Sequence, residues 1–123
     1  MNAIVHVRSE HSDGAVGIVE VTAPAGFDGP PLHHHDFDEA FYVLDGTLTF
    51  QLGDEIVERT AGEMVFAPRN AIHTLANLSD APARYLLVCT PGGFERRFEP
   101  HEERTWPEVF VVGPVIRETL AGR

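Results

Sequence analysis

The sequence predicts an all-β protein, a single-domain antiparallel β-barrel, and three observations point there. Apolar and polar residues alternate with period two over short segments, which is the pattern of half-buried strands. Gly, Pro, Asn and Asp interrupt these segments every eight to twelve residues or so, and the helical period is nearly absent. The chain has 123 residues, of which 43% are hydrophobic, enough for one compact core and no second module.

Taken in order, residues 3–8 and 15–22 read as the first two strands, and residues 23–31, rich in Pro and Gly, as a loop. Residues 33–44 read as a strand interrupted near 36–38. Asp45-Gly46 is a hairpin turn signal, followed by a strand over 47–52. Gly53-Asp54 turns the chain into a strand over 55–59, and Ala61-Gly62 turns it again before 64–67. Residues 71–77 and 83–90 complete the set, joined through Ser79-Asp80-Ala81-Pro82. Closing these strands into a barrel would leave few exposed edges. The tail, 92–123, is expected to serve as an edge strand, a lid or a dimer contact, with a short helical turn over 94–99 and a strand over 108–112. A homodimer built on residues 3–8 and 108–112 is the expected assembly.

Charge and cysteine usage exclude several classes. Nine basic residues face nineteen acidic ones, a formal net charge of −10. Such a surface repels phosphate backbones and anionic membranes, so no nucleic acid and no membrane partner is expected. Cys89 is the only cysteine, which rules out an intrachain disulfide, and its apolar neighbours predict a buried thiol. The start of the chain lacks a charged-then-apolar leader, and no run approaches the roughly 18 apolar residues that span a bilayer. The expected location is cytoplasmic.

The chemistry gathers at His33-His34-His35-Asp36-Phe37-Asp38-Glu39. Side chains two apart on a strand share a face, so His33 and His35 project together and His34 points away. Glu39 keeps their parity. Two imidazoles and a carboxylate on one inner wall suit a borderline divalent metal such as Fe, Mn, Ni, Zn or Cu. A fourth ligand has to come from a facing strand, and His73, opening the alternating segment 73–77, is placed to supply it. His6, His11 and His101 match no ligand spacing and read as surface histidines; Asp36 and Asp38 read as solvated loop carboxylates.

These segments resemble the two motifs of the cupin superfamily. The first is similar to His33-x-His35-x-x-x-Glu39, six residues, then Gly46; the second to Gly62, five residues, Pro68, then His73 and Asn77. Fifteen residues separate Gly46 from Gly62, the short intermotif form, and the likeness covers about 30–91. Two glycines usual in the motifs are replaced, one by Phe27 (with Gly26 and Gly29 nearby) and one by Asn70, whose side chain tolerates a left-handed backbone. The resemblance implies a double-stranded β-helix of the jelly-roll type, with His33, His35, Glu39 and His73 as a 3-His/1-Glu centre for one divalent transition metal.

The remaining inward positions set what enters. Phe41 and Val43 continue the parity of Glu39, Phe50 shares a face with Leu48 and Leu52, and Leu75 and Asn77 continue the parity of His73. Phe41, Val43, Phe50, Leu75 and Asn77 are therefore the candidate pocket residues, and their apolar wall fits an aromatic or largely hydrophobic small molecule better than a sugar. Four protein ligands leave open positions on a five- or six-coordinate metal, which suits catalysis. The chain resembles the small quercetin dioxygenase-like cupins, which implies oxidative cleavage of an aromatic or enolisable substrate, with Glu39 also acting as a base. Two other readings stand beside it. One is a non-redox isomerase or polyketide cyclase, for which Tyr42, Tyr85 and Cys89 are nominal acid–base partners. The other is a non-enzymatic ligand-binding cupin.

Overall fold

A computed structural model describes residues 2–99 and 106–123; His101, expected at the surface, lies outside them. Among the described residues the chain forms strands β1 (Asn2–Val7), β2 (Gly17–Ala23), β3 (His33–His35), β4 (Asp38–Asp45) and β5 (Thr47–Leu52). It continues with β6 (Glu55–Thr60), β7 (Met64–Ala67), β8 (His73–Ala76), β9 (Ala83–Thr90) and β10 (Val109–Val111), and ends in helix α1 (Ile116–Ala121). Short 3-10 turns stand at Ser9–Ser12 and Phe94–Phe98. No helix of the described residues is long and apolar enough to cross a membrane.

The strands form two five-stranded sheets in the orders β1-β2-β9-β4-β7 and β10-β3-β8-β5-β6, every pairing antiparallel. Period-two alternation drives their stacking. Along β2 every second residue is buried, so Val19 and Val21 meet Phe41, Val43 and Leu87 inside. Leu48, Phe50 and Leu75 of the second sheet fill the same core. This is the all-β architecture that the pattern predicts and the jelly roll that the resemblance implies, in its sandwich-like form. The two sheets share no ladder, so each keeps two edge strands where closure was expected to leave few.

Two expectations about connectivity are corrected. The segment 33–44 is two strands in different sheets, because β3 pairs with β8 and β4 pairs with β7 and β9. The break near residues 36–38 is the place where the chain crosses between sheets. Likewise Asp45-Gly46 is a corner and not a hairpin, since β4 and β5 lie in different sheets. Gly46 takes φ +80° there, and a Cβ would stand 2.8 Å from the Pro82 carbonyl oxygen, so the corner demands glycine twice over. Gly53-Asp54, by contrast, closes a true hairpin between β5 and β6.

The tail folds back on its own chain. β10 pairs with β3 in the register Val109↔His35, Phe110↔His34 and Val111↔His33. Beyond it the amides of Val112 and Gly113 donate to the Leu32 carbonyl at 2.8 and 3.2 Å, and the Leu32 amide donates to Pro114. Of the roles expected for the tail, the strand over 109–111 takes that of an edge strand, at one side of the second sheet. Fully buried Ile116 anchors α1, which packs against β8.

Candidate metal centre

Each member of the centre is placed by a distinct element. His33 and His35 alternate inward on β3, and His34 faces out, stacked on Phe110 with ring centroids 5.3 Å apart. His73 opens β8 directly opposite His33. Glu39 arrives from β4, in the other sheet. The structure brings all four together: they are buried, and one ligand atom from each lies within 4.8 Å of all the others.

The surroundings fix the ring orientations. Nδ1 of His33 lies 2.7 Å from the Pro31 carbonyl oxygen, Nδ1 of His35 lies 3.1 Å from that of Phe37, and Nδ1 of His73 lies 2.8 Å from that of Ala71. A carbonyl can only accept, so each Nδ1 carries the hydrogen and each Nε2 presents a lone pair. The Nε2 atoms of His35 and His73 both approach Oε1 of Glu39, at 2.8 and 2.9 Å. Lone pairs converging on a carboxylate oxygen repel unless something positive lies among them, a proton or a metal ion. A divalent cation satisfies all four groups at once, and the Nδ1–carbonyl contacts are the outer support that metal-bound imidazoles use. The residues fit the metal.

Burial tunes the same groups. Desolvation lowers His33 to about 4, against the pull of the Pro31 carbonyl and aided by His73, so its ring is neutral and able to coordinate at neutral pH. Burial pushes the Glu39 carboxyl up, but the close approach of the His35 and His73 imidazoles outweighs it and, wherever a positive charge is shared among them, holds the group below the usual carboxylate range.

Two further residues support the ligands, through contacts that the sequence does not show. Phe37, fully buried, lies flat on His35 with centroids 3.6 Å apart and a 4° tilt, and so holds the ring's plane. Asn70 adopts φ 67°, as its substitution for glycine predicts, and its amide donates to the His35 carbonyl at 2.7 Å. That bond ties the end of β3 to the turn that delivers His73.

A cavity of about 320 Å³ opens from the centre. His33, Glu39 and His73 form part of its wall, and Phe41, Leu75, Tyr85 and Leu87 continue it. Of the expected pocket residues, Phe41 and Leu75 line it. Val43, Phe50 and Asn77 do not: the first two are closed into the core, and the Asn77 amide is spent on the Ala23 and Ala81 carbonyls. Strand parity finds the inner face but not how far along it the cavity reaches. The rim comes from loop residues Phe27 and Pro30 and from tail residues Phe94, Arg97, Phe98 and Val109, which parity could not place.

The other candidates fall elsewhere. Asp36 is exposed, and Asp38 accepts the Arg69 amide at 2.8 Å. His6 pairs with Glu20, and His11 accepts the Arg8 amide. Tyr42 faces outward, and Cys89 is buried in the core with its thiol pushed well up by desolvation.

Fold and site define a double-stranded β-helix with a buried three-histidine, one-carboxylate centre. The family model described as "Cupin domain" matches residues 19–89, and the chain belongs to that family. Solved structures agree on the fold. TT1209 from Thermus thermophilus is 27% identical with a TM-score of 0.65, covering 74% of this chain and 83% of its own. A predicted oxalate decarboxylase from Thermotoga maritima is 21% identical with a TM-score of 0.68, covering 72% and 78%. The polyketide cyclase RemF from Streptomyces resistomycificus is also 21% identical with a TM-score of 0.68, covering 89% and 69%. No curated protein matches the sequence.

Proposed function

We propose that this cupin is a metal-dependent enzyme, a dioxygenase acting on a small aromatic or enolisable substrate, as the likeness to quercetin dioxygenase-like cupins implies. One observation carries the reading: the ligand set is not sealed. Structural metal sites are closed by protein, whereas His33, Glu39 and His73 here line a cavity of small-molecule size. A divalent metal held by His33, His35, Glu39 and His73 would supply Lewis acidity and, if redox-active, electron transfer to dioxygen.

The chain's own residues do the rest. Phe41, Leu75 and Leu87 exclude water and bind the apolar body of the substrate. Glu39 receives both imidazoles on Oε1, and its Oε2 takes no hydrogen bond among the described residues. That oxygen is free to accept the proton of a substrate enol or phenol.

A specific observation favours a second reading, a non-redox isomerase or cyclase. Tyr85 lines the cavity, is almost fully buried, and has no hydrogen-bond partner for its hydroxyl among the described residues. Desolvation, then the charge of Glu39, raise its pKa, so the hydroxyl stays protonated and would offer a hydrogen bond to a substrate oxygen. Metal analysis of the purified protein and oxygen-electrode assays with catechols, flavonols and diketones separate the two. Oxygen uptake with Fe, Ni, Cu or Mn supports the dioxygenase. A Zn protein with no uptake under any reconstituted metal removes it.

A further inference from the structure

We infer that the cavity is built for an organic carboxylate, with Arg97 at its rim binding the charged head and the apolar wall receiving the rest. The inference rests on the proposed small-molecule site and names its substrate class.

The cavity has few polar groups to offer. Besides the metal-centre residues, its lining holds Thr74, Tyr85 and Arg97. The Thr74 hydroxyl is committed to the Pro30 carbonyl at 2.6 Å, which leaves the Tyr85 hydroxyl deep inside and the Arg97 guanidinium at the exposed end.

Arg97 stands apart from the other arginines. Of the eight that are described, five (Arg8, Arg69, Arg84, Arg96 and Arg117) sit against carboxylates. Two more, Arg59 and Arg123, donate to backbone carbonyls. Arg97 has no acceptor among the described residues, in a chain where nineteen acidic residues outnumber nine basic ones. Its guanidinium instead lies over the Phe94 ring, with Cζ 5.8 Å from the centroid, and Phe94 itself lines the cavity. A ring beneath the guanidinium steers it toward the opening and leaves its donor edge free.

The chemistry of the occupant follows. A guanidinium presents two parallel N–H groups that match a planar carboxylate. One guanidinium balances one negative charge, so a carboxylate is matched where a doubly charged phosphate ester would be left half compensated. The same cavity is lined by Phe41, Leu87, Phe94 and Phe98, which suit an aromatic or alkyl body. A ligand seated this way has its far end beside Glu39 and the Tyr85 hydroxyl, where the proposed chemistry takes place.

The test is calorimetric titration of 3-phenylpropionate and of its neutral isostere 3-phenylpropanamide. Both are titrated into metal-free and Zn-loaded protein, for the wild type and for Arg97→Gln. The acid is expected to bind wild type at least tenfold more tightly than the amide in both metal states. R97Q should bring the two ligands to the same affinity while melting temperature and Zn content stay at wild-type values, because Arg97 is exposed and makes no hydrogen bond to the described residues. Failure of the acid to bind wild type, or equal binding of acid and amide to the metal-free protein, overturns the inference. So does an acid preference that survives in R97Q, which would assign carboxylate recognition to the metal and leave the metal-centre reading standing. A protein that takes up no metal yet keeps an Arg97-dependent acid preference sinks the enzyme reading alone.

Discussion

His73 is the residue on which the centre closes, because it alone reaches both β3 across the strand pair and Glu39 across the sheets. Its ring stands 4.6 Å from His33 and 4.8 Å from His35 between centroids, and its Nε2 lies 2.9 Å from Glu39. His73→Ala should lower metal affinity by more than the roughly 10–100-fold lost when only an outer partner of a ligand is removed. Metal content after dialysis against a graded chelator measures it, and wild-type retention would place the metal elsewhere. His33 adds a pH signature to the metal-free protein. Its folded value near 4 lies below the ordinary 6.5, so between those values the unfolded chain binds a proton that the folded chain refuses. Stability is therefore full above about 6.5 and falls as pH drops toward 4. The urea midpoint should decline across that window and decline less in His33→Gln; parallel curves would remove His33 as the cause. The ligand quartet is readable in sequence because strand parity and motif spacing both act locally. Phe37 and Arg97 are not, because what makes each matter is a neighbour that only the folded chain supplies.

At the scale of elements, glycines and corners decide where the ligand strands lie. Gly29 sits in the loop before β3 with φ +76°, and a Cβ there would stand 1.7 Å from the Leu75 carbonyl oxygen of β8. Gly26, in the same loop at φ +74°, has nothing within 4 Å of such a Cβ. Gly26→Ala should therefore cost only the left-handed penalty of about 1–2 kcal/mol. Gly29→Ala adds a backbone clash and should lose clearly more, with the cavity deformed; equal chemical-denaturation midpoints for the two would refute the close approach. Strand β10 gives a second contrast. β3 has one register pair with β8, so its other edge depends on β10 and on the Val112–Leu32 hydrogen bond of 2.8 Å. Val112→Pro removes that donor and should lower both melting temperature and metal affinity. Val111→Ala, at a 63% exposed position, should stay within about 0.5 kcal/mol of wild type. Every turn in this region is legible as Gly, Pro, Asn or Asp. Whether a turn joins paired neighbours or carries the chain to the opposite sheet is not, since turn chemistry fixes a local dihedral and leaves hydrogen-bond partners to the packing of the whole.

For the molecule as a whole, the centre lies across the division between its layers. His33, His35 and His73 belong to one sheet and Glu39 to the other, and the two sheets share no ladder of hydrogen bonds. Apart from loops and turns, what joins them among the described residues is the apolar core and this polar cluster. A metal bound by all four groups would then act as a staple between layers, and its binding energy would appear as resistance to global unfolding. Linkage sets the size: free metal at 100 times its dissociation constant adds about 2.7 kcal/mol. For a domain of this length that is roughly 10 °C in melting temperature. The check is a melting series of chelator-treated protein against increasing Zn or Ni, with Glu39→Gln alongside. Wild type should climb with the logarithm of metal concentration, while E39Q, which lacks the anionic ligand of the second sheet, should climb far less although its three imidazoles remain. If E39Q gains as much as wild type, the metal is held within one sheet and the two layers are joined by the core alone.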